Sequence, residues 1–146
     1  MIINTRTLMQ PHLTGASATA DVLETIQNVI MVAEGIRTHA KLAVGEYLRS
    51  GAYLDQDQTY CVKELNQAVQ TITQTLHRTR VPTTSLTALV KVELAKIMRA
   101  TTTLVPVLGE KRSQTVKVLV LRIRDDMQGL DRKSLQDTPN ERYSHV

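Results

Sequence analysis

The sequence predicts an all-α protein, an antiparallel four-helix bundle with a flexible N-terminal arm and a C-terminal tail. Three observations point there. Aliphatic residues recur at steps of three and four along four separate segments, the spacing of one buried helix face. The 146 residues include no Trp, no Phe and only four Tyr, so Leu, Val, Ile, Ala and Met must fill the core, which helix-on-helix packing manages more readily than a sandwich. The connections are short, so consecutive helices are expected side by side and antiparallel. The expected division is an arm over 1–19, the bundle over 20–130 and a tail over 131–146.

The first segment, 1–19, mixes Pro11, Gly15 and several Ser and Thr residues, and it reads as an arm. A first helix is expected after it, capped by Ser17 or Thr19, with Asp21 and Glu24 near the positive end of the helix dipole. Val22, Ile26, Val29, Ala33, Ile36, Ala40, Ala43 and Tyr47 then form a coiled-coil-like seam, the clearest pattern in the chain. Leu23, Ile30, Val44 and Leu48 widen this stripe beyond what one neighbour needs. Gly51 suits the left-handed position that ends a helix. Gly35 and Gly45, inside the pattern, mark either close helix approach or a tolerated weakness of about 1 kcal/mol each.

A second helix is expected from a cap at Asp55 or Asp57 to about Arg80, just before Pro82, with Val62, Leu65, Val69, Ile72 and Leu76 buried. The Thr-rich stretch 71–81 also admits a strand. A third helix follows Thr83, Thr84 or Ser85, uses Leu86, Leu89, Val90, Leu94, Ile97 and Met98, and stops before Pro106. The fourth uses Leu108, Val116, Leu119, Val120, Ile123, Met127 and Leu130. Val116, Val118 and Val120 alternate like a strand over 116–124, but the helical pattern runs on well past the usual strand length of about 5–6 residues. The segment from Asp131 onward is polar, contains Pro139 and lacks an apolar stripe, so it reads as a tail.

Composition restricts function. With 42% hydrophobic and 22% charged residues the chain is globular rather than disordered. The longest apolar run, 29–33, is far too short to span a bilayer, and 1–13 lacks the apolar core of a secretory signal. The single cysteine, Cys61, can form neither an internal disulfide nor a metal clip, which fits a reducing, cytoplasmic setting. Cys61 near a helix start could be reactive, yet a cysteine beside Val62 is more often just a small apolar residue.

Catalytic signatures are missing. No Glu is followed three residues later by His, so the di-iron pattern of some bundles is absent, and His12, His39, His77 and His145 show no ligand spacing. There is no nucleophile elbow, phosphate-cradling Gly-rich loop or haem-attachment motif. The expectation is a non-enzymatic protein without a cofactor.

Two interaction readings remain. The formal net charge is +4, but segment 63–124 carries eleven basic residues against Glu64, Glu93 and Glu110. Lys91, Lys96, Arg99, Lys111, Lys117, Arg122 and Arg124 are candidates for a surface that meets an acidic partner or nucleic-acid phosphates. On the fourth helix Lys111 and Arg122 fall on one flank of the apolar stripe, Lys117 and Arg124 on the other. Aromatic platforms for single-stranded bases are lacking, and no sequence-reading DNA- or RNA-binding signature appears. The other reading is an assembly or docking module, a homo-oligomer or the partner of another protein. Leu23, Ile30, Val44 and Leu48 are its interface candidates.

Overall fold

The structure, a computed structural model, describes residues 11–79 and 84–137. They form four α-helices: α1 (Pro11–Arg49), α2 (Gln56–Arg78), α3 (Thr84–Thr103) and α4 (Val105–Asp137). Of the two stretches that admitted a strand, 116–124 is helical throughout and 71–81 is helical over 71–78, while Arg80 and Val81 lie outside the described residues. Helix packing follows chain order around a ring: α1 meets α2, α2 meets α3, α3 meets α4, and α4 closes against α1. Ion pairs fix the antiparallel sense. Arg112, early in α4, reaches Glu46, late in α1, and Arg99, late in α3, reaches Glu64, early in α2. At 1.5 Å per residue α1 is about 58 Å long and α2 and α3 only about 35 and 30 Å, so α1 and α4 form the long pair and overhang the short one.

The core is the predicted aliphatic one. Val22, Ile26, Val29, Ala33, Ile36, Ala40 and Ala43 of the α1 seam are buried, with Tyr47 packed at its edge. Leu65, Val69, Ile72 and Leu76 of α2, Val90, Leu94 and Ile97 of α3, and Val116, Val120, Ile123, Met127 and Leu130 of α4 meet them in one cluster. Leu89, expected inside, is exposed instead, because the α3 stripe centres on Val90 and Ile97 and leaves Leu89 at its margin. Two buried threonine hydroxyls are satisfied locally, whereas the buried Ser113 Oγ has no hydrogen-bond partner. Thr101 donates to the carbonyl of Ile97 at 2.7 Å and Thr73 to that of Gln70 at 3.1 Å.

Helix ends are where sequence and structure differ. α1 begins at Pro11, inside the stretch read as an arm, because proline is at home in a first helical turn and Ala16, Ala18 and Ala20 favour helix. α4 continues through Leu130 to Asp137, into the stretch read as tail. Residues 1–10 and 138–146, the rest of the expected arm and tail, lie outside the described residues. α2 starts as expected: Asp55 is the N-cap, its carboxylate accepting from Gln58 N–H at 2.7 Å while the Gln58 side chain accepts from Asp55 N–H at 2.9 Å. Gly51 follows α1 with φ 93°, and its N–H donates to the Leu48 carbonyl. At Gly35 a Cβ would lie 3.9 Å from Leu119, an ordinary contact, and at Gly45 it would meet the mobile end of Arg49 at 3.3 Å, so neither glycine is required for close helix approach.

The one interruption is in α4. Gly109 adopts φ 80° and ψ 161°, so a single turn closed by Val107 and Leu108 N–H on the Leu104 carbonyl gives way to a new helix start at Glu110. Among the described residues no helix is long and apolar enough to cross a membrane.

Candidate functional site

Seven cations were candidates for a binding surface, those of the fourth helix on two flanks, and the ring of helices distributes them over several faces. Lys96 and Arg99 turn toward α2. Lys96 Nζ pairs with Glu93 at 3.2 Å, and the Arg99 guanidinium lies 3.9 Å from Glu64, so each faces a carboxylate. Arg122 precedes Arg124 by two residues, hence by about 200° around the helix, and lies on the opposite flank of α4. Lys111 and Lys117 line a hollow beside the Gly109 break.

Lys91 and Arg124 do come together. They stand on facing walls, α3 and α4, of a groove floored by Leu94, Ala95, Met98, Val120 and Leu121. The floor follows from the two stripes. Leu94 and Val120 are core residues at the seam, Met98 is half-buried beside them, and Leu121, one position off the α4 stripe, remains 41% exposed. Arg124 has only a loose carboxylate neighbour, Asp125 at 3.9 Å, with both side chains more than half exposed. Lys91 and Lys117 have no carboxylate partner among the described residues. The groove thus combines an apolar floor with cationic walls, a surface suited to an amphipathic, acidic element.

The aliphatic candidates on α1 also separate. Ile30 and Val44 pack against the core, whereas Leu23 and Leu48 remain 44% and 47% exposed. Val44 additionally lines a hollow between α1 and α2 with Arg37, Lys41, Val62, Asn66 and Gln70.

Two features of the surface escaped sequence reasoning. The groove floor was legible only in part: Leu94, Met98 and Val120 read as core, and Leu121, off the stripe, carried no signal beyond being apolar next to Arg122. The bidentate pair of Arg112 with Glu46, at 2.7 and 3.3 Å, links residues 66 positions apart and left no trace in spacing. Arg112 hydrogen bonding and charge hold the Glu46 carboxyl below its ordinary value, and Glu46 in turn raises Arg112. Among the described residues no three His, Cys, Asp or Glu side chains cluster as metal ligands. Cys61 is half-buried against the core.

The chain matches no known protein family, no curated protein and no solved structure.

Proposed function

We propose that the protein is a non-enzymatic docking module whose α3/α4 groove receives the apolar face of an acidic amphipathic helix from another protein. The observation that carries this reading is the exposed Leu121 on a continuous apolar floor between Lys91 and Arg124. A helix laid in the groove would cover Leu121 and Met98. Its flanking carboxylates would meet cations on both sides. Burial would supply most of the affinity, since rim ion pairs contribute only about 0–1 kcal/mol each, while the charges would set orientation and exclude basic competitors. Met98 helps such a surface accept different side chains, because its unbranched thioether adapts to the shape laid against it.

Two observations favour this over the other readings. A nucleic-acid backbone needs cations over a polar floor, and here the floor is aliphatic while Lys96 and Arg99 are engaged elsewhere. Self-association through α1 would rest on Leu23 and Leu48, since Ile30 and Val44 already serve the core.

Fluorescence anisotropy tests the proposal with two labelled helical peptides of about five turns. Both carry Leu at i, i+3, i+4 and i+7, one with Glu and one with Lys elsewhere, and a mixed-sequence DNA duplex is the third ligand. The acidic peptide should bind best, and Leu121→Asp should weaken it by about tenfold or more. Equal binding of both peptides, or tighter binding of the duplex with no response to Leu121→Asp, overturns the proposal.

A further inference from the structure

The fourth helix sets charges at a fixed interval along its wall of the α3/α4 groove. After the Gly109 break, Glu110, Lys117 and Arg124 recur every seven residues, about 10.5 Å or two turns apart, and so share one flank of α4. Arg124 lines the groove together with Lys91, Leu94, Ala95 and Met98 of α3, which identifies that flank as the one facing α3. The groove does not stop at Leu121. Val120 and Leu121, then Lys117, then Ser113 and Gln114, then Glu110 continue the same three-and-four stepping into the hollow beside the break.

These three charges are available to a partner. Glu110 and Arg124 are exposed and Lys117 is half-buried. Arg124 has only Asp125 at 3.9 Å, and among the described residues Lys117 and Glu110 form no ion pair. Lys111, beside Glu110, stands about 100° off the flank. On the α3 wall Lys96 and Arg99 face Glu93 and Glu64, which leaves Lys91 alone opposite Arg124. Charges repeated at seven-residue intervals beside an apolar seam select partner and register between packed helices, since opposite charges attract and like charges repel wherever two such flanks meet.

We infer that the docked helix is selected by a heptad charge code, positive at Arg124, positive at Lys117 and negative at Glu110. The code rests on the docking role proposed for the groove and adds the sequence pattern of the partner. Along the edge that faces α4 the partner helix carries a carboxylate, a second carboxylate seven residues away and a basic residue seven further on, while its aliphatic stripe covers Leu121 and Met98. Slipping by one heptad in either direction sets its basic residue against Lys117 or its carboxylate against Glu110. The code therefore fixes register as well as identity.

The test uses the full chain and three labelled helical peptides of equal composition, about five turns long, with one Leu stripe in common. They differ only at three edge positions spaced seven residues apart, which read Glu-Glu-Lys, Lys-Glu-Glu or Glu-Lys-Glu. Each ends one residue beyond its outer charges, so that a slipped peptide no longer covers Leu121. The first two present the code in the two chain directions; the third reads the same both ways and meets like charges at Lys117 and Glu110. One of the first two should bind about fivefold or more tighter than the third by fluorescence anisotropy. In the double variant Glu110→Lys, Lys117→Glu, whose net charge is unchanged, Glu-Lys-Glu should become the tightest. Equal affinities for all three, or a preference that survives the swap, overturn the code; the docking role still stands if Leu121→Asp weakens every peptide. If no peptide binds, or Leu121→Asp changes no affinity, the code and the docking role fall together.

Discussion

Two glycines of the same helix should respond to alanine with opposite signs. Gly109 has φ 80° and ψ 161°, while Gly129 shows no positive φ, and a Cβ added at either would have nothing within 4 Å. Packing therefore contributes nothing to either substitution, and backbone terms decide both. At Gly109 an alanine would be forced into a region essentially reserved for glycine, at a cost of about 1–3 kcal/mol. The stiffer unfolded chain offsets about 0.4–1 kcal/mol of this, leaving Gly109→Ala destabilised by about 1–2 kcal/mol. At Gly129 the backbone is helical, so alanine gains both the helix preference and the unfolded-state effect, and Gly129→Ala should be stabilised by about 0.5–1 kcal/mol. Urea unfolding followed by helical circular dichroism reads both as shifts of the midpoint at constant slope. If Gly109→Ala raised the midpoint as Gly129→Ala does, α4 would be continuous through Gly109, and the second helix start at Glu110 would not exist.

Two further outcomes follow from the core and from the α1·α4 ion pair. Ile97→Ala empties a fully buried position of α3 and should cost about 2–5 kcal/mol, seen as a lower urea midpoint; a loss under about 1 kcal/mol would mean that α3 does not pack at the centre of the ring. Glu46, whose carboxyl is held below its ordinary value of 4.5 by Arg112, contributes stability that is complete above that value and disappears as pH falls through the lowered folded value. A carboxyl titration by NMR should therefore show the Glu46 midpoint low in the native chain and restored in Arg112→Ala, whose stability should change less on acidification.

How much was legible depended on whether one helix or two carried the information. The α1 seam from Val22 to Tyr47 was readable because helical periodicity is a property of a single segment, and the same holds for Val116 through Leu130 in α4. The ends were less readable. Pro11, Gly15 and the neighbouring hydroxyls are turn formers in general, yet proline in a first turn extends a helix rather than stopping it, and α1 starts there. The break at Gly109 has a faint signature, the gap between Leu108 and Val116 in which no apolar residue keeps the stripe, but a gap of that kind does not by itself separate two helices from one. The cations were least legible. Spacing gives the angle of Lys91 or Arg99 about its own helix, but whether that angle faces α4 or the Glu64 carboxylate of α2 depends on the neighbours around the ring.

Exposed aliphatic residues are common on protein surfaces, so Leu121 alone argues little; Met31, Leu42 and Val118 are at least as exposed. Its neighbours make the difference. The hollow between α1 and α2 offers a similar inventory at first sight, with Ala40, Val44 and Val62 beside Arg37 and Lys41. There both cations belong to the same helix, Arg37 is engaged by Glu34, and the opposite wall presents the amides of Asn66 and Gln70. An apolar ridge laid into it would strip water from two amides without replacing their hydrogen bonds, a cost of about 1–3 kcal/mol each that offsets the aliphatic area covered. Between α3 and α4 the floor is Leu94, Ala95, Met98, Val120 and Leu121, with no polar side chain to desolvate, and the charges stand on opposite walls where they clear the floor. The same ridge therefore keeps nearly all of its burial free energy in one groove and forfeits much of it in the other.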